Sequence, residues 1–135
     1  MGRGLRVATH RIDPDYAIVI NAVNANDFAD AKLPSARLGG GAVIEYMDRT
    51  QLGDIEFTKA IENVADKHDI KYQRKTSSYG ASQAGAVTTS ATGCKTVVVS
   101  VPLRYANTPV GIVNVNDIKS VTNLVCDFLK ERDVI

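Results

Sequence analysis

Tryptophan is absent, and the 135-residue chain carries only five Tyr and three Phe. Any core it builds must therefore be mostly Val, Ile, Leu and Ala. Cysteine is as scarce. Cys94 and Cys126 are the two present, too few and too far apart for a disulfide scaffold, and no CxxC occurs. Both lie in apolar runs, which predicts buried, reduced thiols. Histidine is limited to His10 and His68. They are isolated from each other, so no local zinc motif exists. Neither sign of charge is in excess: Lys+Arg 16 against Asp+Glu 15 leaves +1, and nothing in that balance points to nucleic acid or an anionic membrane. Apolar runs are far short of a membrane span. Met1 to Arg6 contain no apolar signal region, and no Ser or Thr stands at the sixth position for myristoylation. The expectation is a soluble, cytoplasmic protein with no nucleic-acid and no membrane partner.

What is present is ordinary globular material, 44% hydrophobic and 23% charged, in a length that fits one domain over 1–135. Tyr16 to Val23 is a nearly continuous apolar run and predicts a strand buried on both faces. Asn24 to Gly41 reads as a long loop, and loops of that length are usually functional or flexible. Gly41 to Met47 predicts a second strand. Asp54 to Lys67 places Phe57, Ala60, Ile61, Val64 and Ala65 on one helical face. Ile70 to Thr76 predicts a strand at or near an edge. Ser77 to Gly85 is a loop of small residues leading into a short helix through Ala91, ended by Gly93. Cys94 to Val101 is the strongest strand signal in the chain, and Pro102 to Pro109 reads as a loop. Val110 to Val115 reads as a short extended piece. Asn116 is the expected cap of a last helix whose stripe is Ile118, Val121, Val125, Phe128 and Leu129, with Lys130 and Arg132 near its C-terminus. The order β, β, α, β, α, β, α predicts an α/β domain with a mostly parallel sheet.

Local motifs are few. Leu38-Gly39-Gly40-Gly41 lacks a following Lys-Ser/Thr and leads into a strand, so a turn is favoured over a phosphate loop. Ser78, Ser82 and Ser90 have no Gly-x-Ser-x-Gly elbow and no evident His partner. Lys95 alone is poor support for an activated Cys94 thiolate. The informative stretch is Val97 to Pro109, where a buried strand ends and presents Arg104, Tyr105, Asn107 and Thr108. Ligand sites of open α/β sheets form outside the C-terminal ends of strands. That rule groups Asn21, Asn24, Gln83, Arg104 and Asn107 into a polar pocket. The residues alone leave two readings open: a ligand pocket, or amides that satisfy loop backbone.

Several segments, in order along the chain, carry a family resemblance. Ile12-Asp13-Pro14-Asp15-Tyr16-Ala17-Ile18 is similar to Ile-x-Pro-Asp-x-Ala-Ile. Leu38-Gly39-Gly40-Gly41 with Val43-Ile44 is similar to Leu-Gly-x-Gly-Pro-x-Ile. Met47-Asp48-Arg49-Thr50 is similar to Met-Asp-Arg-Ser. Val101-Pro102-Leu103-Arg104-Tyr105 with Thr108-Pro109 is similar to Ile-Pro-x-Arg-Tyr-x-His-Ser-Pro. Together they resemble the C-terminal half of the tetrahedral, deblocking and glutamyl aminopeptidases, dinuclear metallopeptidases also known as endoglucanases or cellulases. The resemblance implies a three-layer, sandwich-like partial domain with a mixed, mostly parallel sheet and helices on its faces. It also implies a cofactor of two divalent ions such as zinc or cobalt.

The departures fall on the residues that would hold those ions. The family's metal-binding Asp on the first strand is Asn21 here, its metal-binding His is Asn107, and its Thr-Asp-Ala-Gly is Ser82-Gln83-Ala84-Gly85. The family's Glu pair precedes a Gly-x-Arg-Gly segment that Arg3-Gly4 resemble in part, which places this chain just after the pair. Paired divalent ions need carboxylates to offset their charge and imidazoles as donors, and an amide is a poor substitute. Set against the resemblance, these departures imply a relative with no metal and no catalytic residue. Its degenerate pocket would comprise Asn21, Gln83, Arg104, Tyr105 and Asn107, and it would act in assembly or ligand binding. The alternative is an aminopeptidase subunit completed by another chain. A half-sheet exposes an edge and an apolar face, so a homo-oligomer or a related subunit is expected as partner, with a peptide as a candidate ligand.

Overall fold

The computed structural model describes residues 2–29, 36–90 and 92–131. The elements run α1 (Arg3–Ile12), β1 (Tyr16–Asn24), β2 (Ala42–Glu45), α2 (Ile55–Lys67), β3 (Tyr72–Lys75), α3 (Ala84–Thr88), β4 (Lys95–Arg104), β5 (Ile112–Val113) and α4 (Val115–Lys130). The sheet order is β1-β4-β2-β3, with β5 pairing β4. The ladders β1–β4 and β2–β3 are parallel, and the shorter β2–β4 and β4–β5 ladders are antiparallel. The fold is thus α/β with a mixed sheet, as expected, and β3 is an edge strand.

Strand parity sorts the side chains onto two faces. Ile44, Val97 and Val99 face α2 and α4, where they pack with Phe57, Ile61, Val64, Val121, Leu124 and Phe128. The α2 stripe appears as predicted, and Asp54 caps that helix by accepting the Phe57 N–H at 2.8 Å. Phe57 bridges the layers, its ring 5.7 Å from Phe128 and 5.2 Å from Tyr16. Val43, of opposite parity, joins Val23 and Ala36 in a small cluster on the other face. On that side α3 packs on β4 and against α1.

Six expectations need correction. β1 is not buried on both faces: it is an edge strand, and Ile20 is 62% exposed. No strand lies outside it among the described residues. The polar segment before Pro14 forms α1, ended by Asp13 in the left-handed region with its N–H on Thr9 O at 2.8 Å. β4 continues through Pro102 to Arg104 rather than stopping at Val101. Proline is tolerated there because it falls between β2, whose pairing ends at Ser100, and β5, whose pairing begins at Leu103. The α4 cap is Asn114 rather than Asn116; its side chain accepts the Asn116 N–H at 2.9 Å. The buried positions of α4 are Asp117, Val121, Leu124 and Phe128, which leaves Ile118, Leu129 and Cys126 exposed. Cys94 is buried as expected, and burial pushes its thiol pKa up. Ala91 and Arg132 lie outside the described residues.

The glycine run is a turn held by the protein's own carboxylate. Buried Asp117 accepts the Gly39 and Gly41 N–H groups at 2.7 and 2.8 Å. Gly41 has φ +86°, and a Cβ there would meet Lys71 O at 2.0 Å, so no larger residue fits.

Candidate functional site

A cavity of ≈ 460 Å³ opens on the sheet face opposite α2 and α4. Asn21 and Asn24 of β1 line it, together with Glu45, the loop 78–82, and Ala106 and Asn107 beyond β4. Asn21 is in register with Ser100, so the floor is built from β1, β4 and β2. Its fixed point is a buried ion pair. Lys75 Nζ donates to Glu45 Oε2 at 2.8 Å, and Ser100 Oγ donates to Oε1. The remaining Lys75 donors reach Met47 O at 3.1 Å and Ser77 O at 3.3 Å. Both charged side chains are at most 2% exposed. A buried pair of this kind persists only when its donors and acceptors are satisfied.

Asp48 shapes the rim. Its carboxylate accepts from Thr50 N, Thr50 Oγ1, Gln51 N and Ser82 N at 2.6, 2.7, 3.1 and 2.8 Å. Burial acts to raise this carboxyl, but hydrogen bonds from Ser82 and Thr50 outweigh it and hold the pKa below the ordinary value. Asp48 thus ties loop 48–52 to loop 78–82. The Arg49 N–H on Gly80 O at 3.0 Å adds a second tie. Gly85 lets α3 approach, since a Cβ there would lie 2.6 Å from Thr50 O.

The side chains grouped from the sequence separate into three places. Asn21, Asn24 and Asn107 share the cavity. Gln83 lines an adjoining pocket with Asn21 and Leu5. Arg104 instead donates to Asp27 at 2.7 Å and lies over the Phe28 ring, 5.2 Å from its centroid. Tyr105, at φ +61°, packs beside the same ring. The Arg104 hydrogen bond, opposed by burial and aided by the Leu38 N–H, holds the Asp27 pKa low. This second cluster anchors the loop after β1 to the end of β4. Glu45, Arg49, Lys75 and Ser100 escaped the sequence reading. The one signal was a carboxylate, Glu45, inside an otherwise apolar strand. Ser82 lines the cavity, but its Oγ accepts the Ala84 N–H at 3.1 Å and neither His10 nor His68 is a lining residue. His68 instead faces Glu131 at 2.6 Å.

This donor set does not fit a pair of divalent ions. Asn21, Asn24, Asn107 and Ser82 are neutral, Glu45 is engaged on both oxygens, and Arg49 and Lys75 add positive charge. Among the described residues no three His, Cys, Asp or Glu side chains gather into a metal-binding group.

Comparison with known proteins places the chain. The profile of the M42 glutamyl aminopeptidases matches residues 2–124. The chain belongs to this family. It is 28% identical to the lysyl aminopeptidase of Pyrococcus furiosus over 130 residues, covering 96% of this chain and 37% of that protein. A TET aminopeptidase from a marine sediment thaumarchaeon superposes with a TM-score of 0.92 at 28% identity, covering 98% of this chain and 37% of the other. The TET1 peptidase of Pyrococcus horikoshii, which can assemble into a tetrahedron or a large octahedral shell, shares the fold with a TM-score of 0.81 at 22% identity, covering 97% and 37%. The chain thus spans under two fifths of the length of these M42 relatives. No helix among its described residues is long and apolar enough to cross a membrane.

Proposed function

We propose that this M42 chain is a non-catalytic binding and assembly subunit whose cleft works without metal. One observation carries the reading. Asn21 and Asn107 line a single cavity in which the one lining carboxylate among the described residues, Glu45, is already held by Lys75 and Ser100. Neutral amides offer no charge to offset two divalent cations, so no water is activated there and no peptide bond is cut. The cleft remains a concave polar surface of ligand size. The test is a calorimetric titration with zinc and with cobalt at neutral pH, alongside a peptide hydrolysis assay. The chain shows no tight site and no release of N-terminal residues. The double variant Asn21→Asp/Asn107→His gains metal affinity. Two tight sites with hydrolysis in the unaltered chain overturn the proposal.

A second reading, an aminopeptidase subunit completed by another chain, draws on β1. Its apolar sequence suits a central strand, yet its outer edge has no partner strand among the described residues, and Val7, Ile12 and Ile20 are each more than 60% exposed. An edge of this kind calls for a covering strand. Under either reading the chain assembles, with a second copy or a related subunit on the β1 side. Sedimentation distinguishes them. A homo-oligomer without hydrolysis supports the first, and hydrolysis that appears only on adding a second subunit supports the other.

A further inference from the structure

We propose that the cleft recognises the free α-carboxylate of a peptide or amino acid, with Arg49 as its anchor. This rests on the metal-free reading of the same cleft. The charge arrangement leads to it. Of the ionisable side chains lining the cavity, Glu45 is neutralised by Lys75 at 2.8 Å. Arg49 is exposed and forms no side-chain ion pair or hydrogen bond among the described residues. Among the described lining side chains Arg49 is thus the one cation without an ion-pair partner, and the adjoining Asp48 carboxylate is turned onto the Thr50, Gln51 and Ser82 donors, so an anion is attracted at the guanidinium.

Chemistry narrows the anion. A guanidinium presents a planar fork that matches a carboxylate in a bidentate pair. One such fork meets one planar monoanion, whereas a phosphate dianion would leave a charge unmatched. Asn21 and Asn107 add carboxamides that make no side-chain hydrogen bond among the described residues. Each can both donate and accept, which complements the N–H and C=O of the peptide group next to a terminal carboxylate. Tyr79, 52% exposed at the same cavity, offers a ring for the terminal side chain. The backbone that carries the anchor is held before the ligand arrives. The Arg49 N–H is on Gly80 O, and the neighbouring Asp48 carboxylate ties both bordering loops. Preorganisation of this kind lowers the ordering cost of binding.

The test compares N-acetyl-trialanine as the free acid and as the C-terminal amide by isothermal calorimetry, with free alanine and inorganic phosphate as further arms. The free acid binds roughly ten-fold or more tightly than the amide. Arg49→Gln removes that preference and Arg49→Lys keeps part of it, while circular dichroism of both variants matches the unaltered chain. The two sources separate on alanine: tighter binding of alanine than of the acetylated acid assigns a free amino acid, and preference for the peptide assigns a peptide terminus. Equal binding of acid and amide overturns the proposal. So does no binding of either, preference for phosphate, or a preference that survives Arg49→Gln. Bound metal with hydrolysis would instead defeat the metal-free reading itself, and that is read out separately by the zinc titration.

Discussion

The two faces of the sheet are finished to different degrees. Toward α2 and α4, Ile44, Ile61, Val97, Val99 and Leu124 are fully buried and mutually packed. Toward the cleft, the sheet carries Asn21, Glu45 and Ser100 and one small apolar cluster, while Ile20, which shares the parity of Val99, lies at the β1 edge beyond the α2–α4 packing and stays largely open. The first face is a completed core, its apolar side chains sealed from water by the two helices. The second has a buried ion pair at its floor and neutral amides at its wall. That combination suits a surface that binds and associates. Folding stability should therefore reside on the α2–α4 side and in the ion pair, and partner contacts on the β1 side.

The largest expected effect breaks the second face from within. Lys75→Met strands the Glu45 carboxylate in a nearly water-free site and should cost about 3–5 kcal/mol in urea unfolding, whereas the double variant Glu45→Leu/Lys75→Met recovers much of the loss. Next is the completed core: Ile61→Ala removes packing at a fully buried position and should cost about 3 kcal/mol by the same measurement. Acid comes third. Asp27 and Asp48 are both held below the ordinary aspartate value of 3.8. Their contribution is fully present above that value and is lost as pH falls through the lower folded values. Their share of the unfolding free energy should be flat from about pH 7 to about pH 5 and fall below about pH 4, with Asp48→Asn weakening this dependence. The smallest effect on stability sharpens the contrast. Ile20→Ala should change the unfolding free energy of the single chain by less than about 1 kcal/mol, yet Ile20→Lys should shift sedimentation toward the monomer. An Ile20→Ala loss as large as that of Ile61→Ala would erase the distinction between the packed core and the open β1 edge.

Much of the framework was legible because local chemistry decides it. The α2 stripe follows from 3.6-residue periodicity and its Asp54 cap. β4 follows from a run of β-branched residues, and the positions of Asn21 and Asn107 follow from motif order. The misreadings have physical causes. α1 carries a sparse apolar stripe among Arg3, Arg6, His10 and Arg11, although Asp13-Pro14 is a helix stop. β1 reads as buried because its composition suits a central strand, while among the described residues it has one neighbouring strand, β4. Cys126 lies in an apolar run, but the helical phase set by Val121, Leu124 and Phe128 turns it outward. Arg104 was grouped with the cleft because it stands at a strand end, and its pairing with Asp27 spans a loop whose path sequence does not specify. Least legible was the Glu45–Lys75 pair, which exists because the parallel register of β2 and β3 sets those two residues side by side.

The central claim is that a cleft built on Asn21 and Asn107 holds no metal pair. Native mass spectrometry of the purified chain, after incubation with excess zinc and buffer exchange, tests it most directly because it counts subunits and bound ions together. The account predicts an assembly whose mass is a whole multiple of the chain with no retained zinc, and retained ions only in Asn21→Asp/Asn107→His. Two zinc ions held by every unaltered chain would contradict it.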